Sequence, residues 1–265
     1  MNLKVAVMAL IVVLEMARMT TCEAADTTRV VHVFVALADN EHQGIVPVSA
    51  RLGNGEDLDN NLYWGAAYGV RTYFARDRQW RLIARVESVR TDTVLQRCIF
   101  QHKVHKLYLI ADAYKGERIR EAVTDFLATV AGRRAKVPIP AAGPSGPESD
   151  RGIRIDMAAY IGHNGLMDFD VPVQGLHGDS TGLPAIILAC VSKSYFHSHL
   201  TALRADPILW TTGLMAPEAY TLKAAVESWA TGKSRSEIRA QAAAAYDQFQ
   251  HCGESVARRL LVTDY

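Results

Sequence analysis

Two residues in the chain stand where chemistry collects, a histidine and a cysteine that each follow an apolar, strand-like run. Residues 155–162 (IDMAAYIG) lead into His163-Asn164-Gly165, and residues 184–189 (PAIILA) lead into Cys190. A cysteine attacks as its thiolate, and an unperturbed thiol titrates near about 8.5. A neighbouring imidazole can take the proton, act as acid and base, and so make the thiol a nucleophile. The tetrahedral intermediate then needs hydrogen-bond donors for its oxyanion. The backbone amides of Asn164, Gly165 and Cys190 are the candidates, and Gly165 lets a substrate backbone come close. Residues 191–196 (VSKSYF) can open a helix whose N-terminus favours a thiolate. The plainer alternative stays open for each residue. Cysteine is among the most buried residue types, and PAIILAC can be a core strand.

Such residues act together only if the fold brings the two strand ends side by side. Residues 29–37 (RVVHVFVAL) read as a central strand buried on both faces. A polar loop, 38–44, follows. The turn at 54–57 leads into an expected helix with Leu58, Leu62, Ala66, Val70 and Tyr73 on one face. Residues 80–86 alternate as a half-buried strand, and 94–100 and 106–112 are further strands. A helix from Gly116 carries Ile119, Val123, Phe126 and Val130. Residues 136–152, with Pro138, Pro140, Pro144 and Pro147, form a surface loop. Residues 207–212 are another short strand. Pro217 suits the first turn of a helix that ends at Gly232, and Ser234-Arg-Ser-Glu237 is a capping box for the last long helix. Strands that alternate with helices predict an α/β fold, a mostly parallel sheet flanked by helices on both faces. In such a sheet, ligands gather outside the carboxyl ends of the strands.

Other residues carry weaker signals. Asp39, just past the first strand, and His42 in the same loop are candidate substrate-binding groups. Asp39 could pair with a basic substrate side chain or simply cap its loop. His177-Gly178 and Ser180 sit in a glycine-rich stretch without the strand–turn–helix setting of a nucleophile. His197 and His199 are two apart, so on a helix they point apart and do not make a metal pair. Trp210 and Trp229 read as core. Nothing calls for a metal or an organic cofactor, and no glycine-rich nucleotide motif follows the first strand.

At 265 residues and 49% hydrophobic, the chain can bury a sizeable core, and its net charge of +1 gives no support for nucleic acid or an anionic membrane as the main partner. Residues 1–25 read as a signal peptide: Lys4 supplies the positive start, 5–14 the apolar run, and Ala24-Ala25 the small residues for cleavage. An ordinary first helix is the alternative. The apolar run is too short to span a bilayer. Residues 26–265 then form one exported domain, periplasmic or secreted, with no stable membrane span. It keeps Cys98, Cys190 and Cys252, an odd number. A Cys98–Cys252 bridge that leaves Cys190 free is one arrangement, and three buried unpaired thiols is the other.

A strand that ends in Tyr160-Ile-Gly-His-Asn-Gly165, with a later one ending in Ile187-Leu-Ala-Cys190, resembles the caspase-like cysteine peptidases, the group of caspases, legumains and gingipains. The resemblance implies a three-layer sandwich with the catalytic His after one strand and the Cys after the next. It covers most of the mature chain in layout and rests on two short motifs. It implies an exported thiol protease that hydrolyses a peptide or protein substrate through His163 and Cys190. The second reading, from a different class, is an inactive binding or scaffold protein of the cell envelope on the same fold.

Overall fold

Val30 to Ala36 carry β-branched, aromatic or small apolar side chains at nearly every position, and they form most of strand β1, Arg29–Ala36, buried from Val30 onward. Its alternate residues enter two different cores. Val31, Val33 and Val35 belong to one, Phe34 and Ala36 to the other. The structure is a computed structural model that describes residues 28–133, 136–137, 153–176 and 182–265. The proposed signal segment, most of the 136–152 loop, His177 and Ser180 lie outside the described residues.

Strands β4, Leu107–Tyr114, and β7, Met157–Ile161, pair with β1 on either side, both parallel to it. Strand β8, Pro184–Leu188, runs parallel beside β7, and β9, Asp206–Thr211, runs parallel beside β8. The short β10, Leu261–Val262, closes that edge antiparallel. On the other edge, the hairpin of β2, Trp80–Arg90, and β3, Val94–His102, continues from β4 antiparallel. The order is β10-β9-β8-β7-β1-β4-β3-β2, one mostly parallel, mixed eight-stranded sheet. Strands β5, Lys136–Val137, and β6, Ile153–Arg154, make a separate two-stranded ribbon.

Six helices accompany the sheet among the described residues: α1 Val70–Arg76, α2 Ile119–Val130, α3 Ser192–Ala202, α4 Ala219–Ala230, α5 Arg235–Gln250 and α6 Glu254–Leu260. Phe74 of α1, Leu222 and Val226 of α4 and Ile238 of α5 join the core of Val31, Val33 and Val35. Phe126 of α2 and Phe196 of α3 join Phe34, Tyr160 and Ile187. Each large side chain sealed this way contributes about 1.5–3 kcal/mol. The expected α/β class is therefore observed. The capping box at Ser234 and Glu237 forms, and its hydrogen bonds hold the Glu237 carboxyl down to about 2.

Three expectations need correction. No helix spans residues 58–69. That stretch folds into successive turns, and α1 begins only at Val70. The cause is Asn61, fully buried, whose side chain accepts from the amides of Ala38 and Tyr63 and donates to the carbonyls of Ala38 and Asn54. Asp57 likewise takes the amides of Asp59 and Asn60. These side chains compete with helical bonding. Next, α4 starts at Ala219, with Glu218 rather than Pro217 at its entry. Finally, Cys98 and Cys252 are both free. Cys98 sits in the middle of β3, facing the core with its thiol pushed up to about 12 by burial, while Cys252 follows the end of α5 near the surface.

Beneath the sheet surface lies a buried polar cluster on adjacent strands. Asp112 of β4 accepts from Arg97 of β3 through both oxygens at 2.6 Å, and its Oδ2 lies 2.9 Å from His32 Nε2 of β1. Burial alone would raise the Asp112 carboxyl, but the Arg97 and His32 partners bring it down to about 2.

Candidate functional site

Strands β7 and β8 run parallel in register, with Tyr160 beside Ile187 and Ile161 beside Leu188. Beyond that pair the Gly162 amide still donates to the Leu188 carbonyl at 3.2 Å. Gly162 has φ +147°, and a side chain there would crowd the Ala36 carbonyl of β1, so glycine lets the chain turn out of the sheet. His163 and Cys190 each stand two residues past the last paired position, on neighbouring strand ends.

The His163 backbone is fixed by the Tyr160 hydroxyl, which donates to its carbonyl at 2.7 Å. The residue is 8% exposed, and its imidazole Nε2 lies 2.7 Å from Asp168 Oδ2. A 3-10 turn, Gly165–Met167, joins the two residues. Asn164 caps that turn. Its Oδ1 accepts from the Leu166 amide at 3.2 Å, and its Nδ2 donates to the Cys190 carbonyl at 2.7 Å. The fully buried Asn164 side chain thus ties the histidine end to the cysteine end. Asp168 Oδ2 also accepts from the Gly44 amide at 3.2 Å, which brings the loop after β1 to the same place.

Cys190 is half-buried. Its Sγ lies 3.4 Å from the Met215 amide and 3.6 Å from the Met215 carbonyl. The next residue, Val191, has φ 51° and ψ 31°, a left-handed conformation that costs a β-branched residue free energy. Three contacts enforce it: the Val191 amide donates to the Gly213 carbonyl at 2.8 Å, Ser192 Oγ donates to the Ile187 carbonyl, and the Ser192 amide donates to Thr211 Oγ1. Helix α3 starts there, as expected. The amide that reaches the sulfur nevertheless comes from Met215, not from α3. Among the described residues, no hydrogen bond joins His163 to Cys190 Sγ.

Compared with known proteins, the chain matches no family model, no curated protein and no solved structure.

The remaining expected site residues fall as follows. A side chain on Gly165 would meet Phe169 at 2.5 Å, so the space freed by this glycine is filled by the protein's own ring and not left for a substrate backbone. Asp39 caps its own loop: Oδ1 accepts from the amides of Glu41 and His42, and Oδ2 lies 2.9 Å from His42 Nδ1. That hydrogen bond raises the His42 imidazole above its ordinary value. Both line a polar cavity of about 460 Å³ with Glu56, Lys115 and Glu117, at the ends of β1 and β4. Among the described residues, no hydrogen bond joins either of them to His163, Asp168 or Cys190. His197 stacks against Trp210, while His199 faces Asp170 and the Val171 carbonyl, so the two histidines point apart as expected. Trp210 is fully buried core. Among the described residues, no helix is long and apolar enough to cross a membrane.

Asp168, Gly44 and Met215 escaped the sequence reading. A carboxylate five residues after the histidine was the available signal for the first. Gly44 and Met215 come from distant loops and gave none. Tyr63 also lies near the cysteine, and burial above all, with Cys190 and Glu218 close by, pushes its phenol up, so it stays a neutral donor. Burial likewise raises the Glu218 carboxyl.

Proposed function

We propose that this protein is a cysteine hydrolase, a peptidase of caspase-like architecture, with Cys190 as nucleophile and His163 as acid and base. The observation that carries it is the in-register parallel pairing of β7 and β8, which end together before His163 and Cys190. The resemblance implies the same order, histidine after one strand and cysteine after the next. The division of β1 between two helix-bearing cores supports a three-layer sandwich. The strained Val191 adds support, since backbone strain is retained where a site over-determines it.

In this reading His163 takes the Sγ proton and the thiolate attacks the scissile carbonyl carbon. The oxyanion is received by the Cys190 amide and by main chain at Asn164–Gly165. The Val191 amide is excluded because Gly213 holds it. His163 then gives the proton to the leaving amine, and the C–N bond breaks. Water, deprotonated by His163, attacks the thioester, restores the thiol and releases the acid. The N-terminal segment makes the protein exported. Mass analysis of the mature chain, with cleavage near Ala24 or Ala25, tests that part.

The test of turnover is a peptide-library digest with the mature protein and its Cys190→Ala variant. Hydrolysis lost in the variant, with circular dichroism unchanged, supports the reading. Hydrolysis retained in the variant ends it. One observation favours the second reading, an inactive binding or scaffold protein: Cys190 Sγ is engaged by the Met215 main chain and not by His163. Slow alkylation of Cys190 in both the wild type and His163→Ala would decide for it.

A further inference from the structure

We propose that Asp168 is the positioning residue of this site: its carboxylate keeps a proton on His163 Nε2 and leaves Nδ1 as the nitrogen that exchanges protons with Cys190 and substrate. The proposal rests on the reading of His163 and Cys190 as base and nucleophile, and its test separates the two.

A neutral imidazole has one donor and one acceptor nitrogen, and an ionised carboxylate only accepts. With Asp168 Oδ2 at 2.7 Å, Nε2 must be the donor. Nδ1 then carries the lone pair, and among the described residues it makes no hydrogen bond. The ring has little room to turn away, because its side chain is only 7% exposed. Asp168 is itself held. Its Oδ2 accepts from the Gly44 amide, and a methyl on Gly44 would stand 2.5 Å from its Oδ1. The glycine therefore makes room for the carboxylate. When the Sγ proton moves to Nδ1, Nε2 keeps its own proton and Asp168 stays ionised beside the imidazolium. The negative charge stabilises the thiolate–imidazolium pair without being consumed.

The experiment is nitrogen NMR of ¹⁵N-histidine-labelled protein, with iodoacetamide labelling of Cys190 across pH, in the wild type, Asp168→Asn and Gly44→Ala. The wild type should show protonated Nε2 and bare Nδ1. In Asp168→Asn the amide can donate to Nε2, so the proton should move to Nδ1 and labelling at pH 6 should fall about 10-fold or more. Gly44→Ala alters an exposed loop position and pushes the carboxylate off the ring, so it should weaken the same bias even if Asp168→Asn fails to fold. A wild-type proton on Nδ1, or an unchanged tautomer and labelling rate in both variants, overturns the proposal. With His163→Ala added to the labelling series, labelling that ignores His163→Ala while the wild-type tautomer still follows Asp168 defeats the nucleophile reading alone.

Discussion

Asn164 Nδ2 donates to the Cys190 carbonyl across 2.7 Å, so the residue after the histidine holds the backbone of the cysteine. The same side chain caps the turn that carries Asp168 toward His163. Asn164→Ala removes both bonds of a fully buried side chain and leaves the Cys190 carbonyl and the Leu166 amide without these partners. The expected cost is about 2 kcal/mol, read as a lower urea midpoint, with slower Cys190 alkylation in the fraction that remains folded. An unchanged midpoint would mean that the two strand ends are held by other contacts.

Val191 carries strain just behind the candidate nucleophile. Val191→Gly removes the penalty of the left-handed conformation, about 1–2 kcal/mol, and returns part of it through unfolded-chain entropy, about 0.5–1 kcal/mol. The variant should be as stable as the parent or more stable by up to about 1.5 kcal/mol. A midpoint clearly below the parent would show that packing of the Val191 side chain outweighs the strain.

The three thiols should separate by reactivity. Cys98, with its thiol raised to about 12 in the core, should label only on unfolding. Cys252, half-buried near the surface, should label in the native protein. Intact mass of the mature protein after denaturing alkylation without reductant should show all three modified, where a Cys98–Cys252 bridge would leave one.

Asp112 links stability to acid. Its carboxyl is depressed from 3.8 to about 2 in the folded state, so the stability it contributes is full above about pH 4 and is lost as pH falls through about 2. The difference is on the order of 2 kcal/mol. Asp112→Asn should destabilise the protein by about 3 kcal/mol and flatten its acid limb between those pH values. An acid limb of unchanged slope in the variant would assign the transition to other carboxylates.

What was legible in the chain followed from burial. β1, β7 and β8 announced themselves because strands buried on both faces are apolar at nearly every position, and the candidate nucleophile and base stood at two of their ends. The helix expected over 58–73 shrank to α1 because a single side chain, Asn61, satisfies four backbone groups, which hydrophobic spacing does not reveal. Gly165 illustrates a different loss. A glycine marks a close approach, but only the fold says that Phe169 is the group approaching. Asp168 and Met215 were hidden because their roles lie in directions, one carboxylate aimed at a ring nitrogen and one peptide lying against a sulfur.

The place of β1 in the sheet has a consequence for how the chain assembles. Among the described residues it is the first strand to be made, and it lies between β7 and β4, yet its partners begin only at Leu107 on one side and Met157 on the other. A ribosome adding about 5–20 residues per second leaves this apolar strand with an open edge for several seconds. Such long-range parallel pairing is slow and exposes the nascent chain to association. The hazard sits in a segment that the finished sheet buries from Val30 to Ala36, so a chaperone that shields nascent residues 30–36 until β7 emerges would act where the open edge lasts longest.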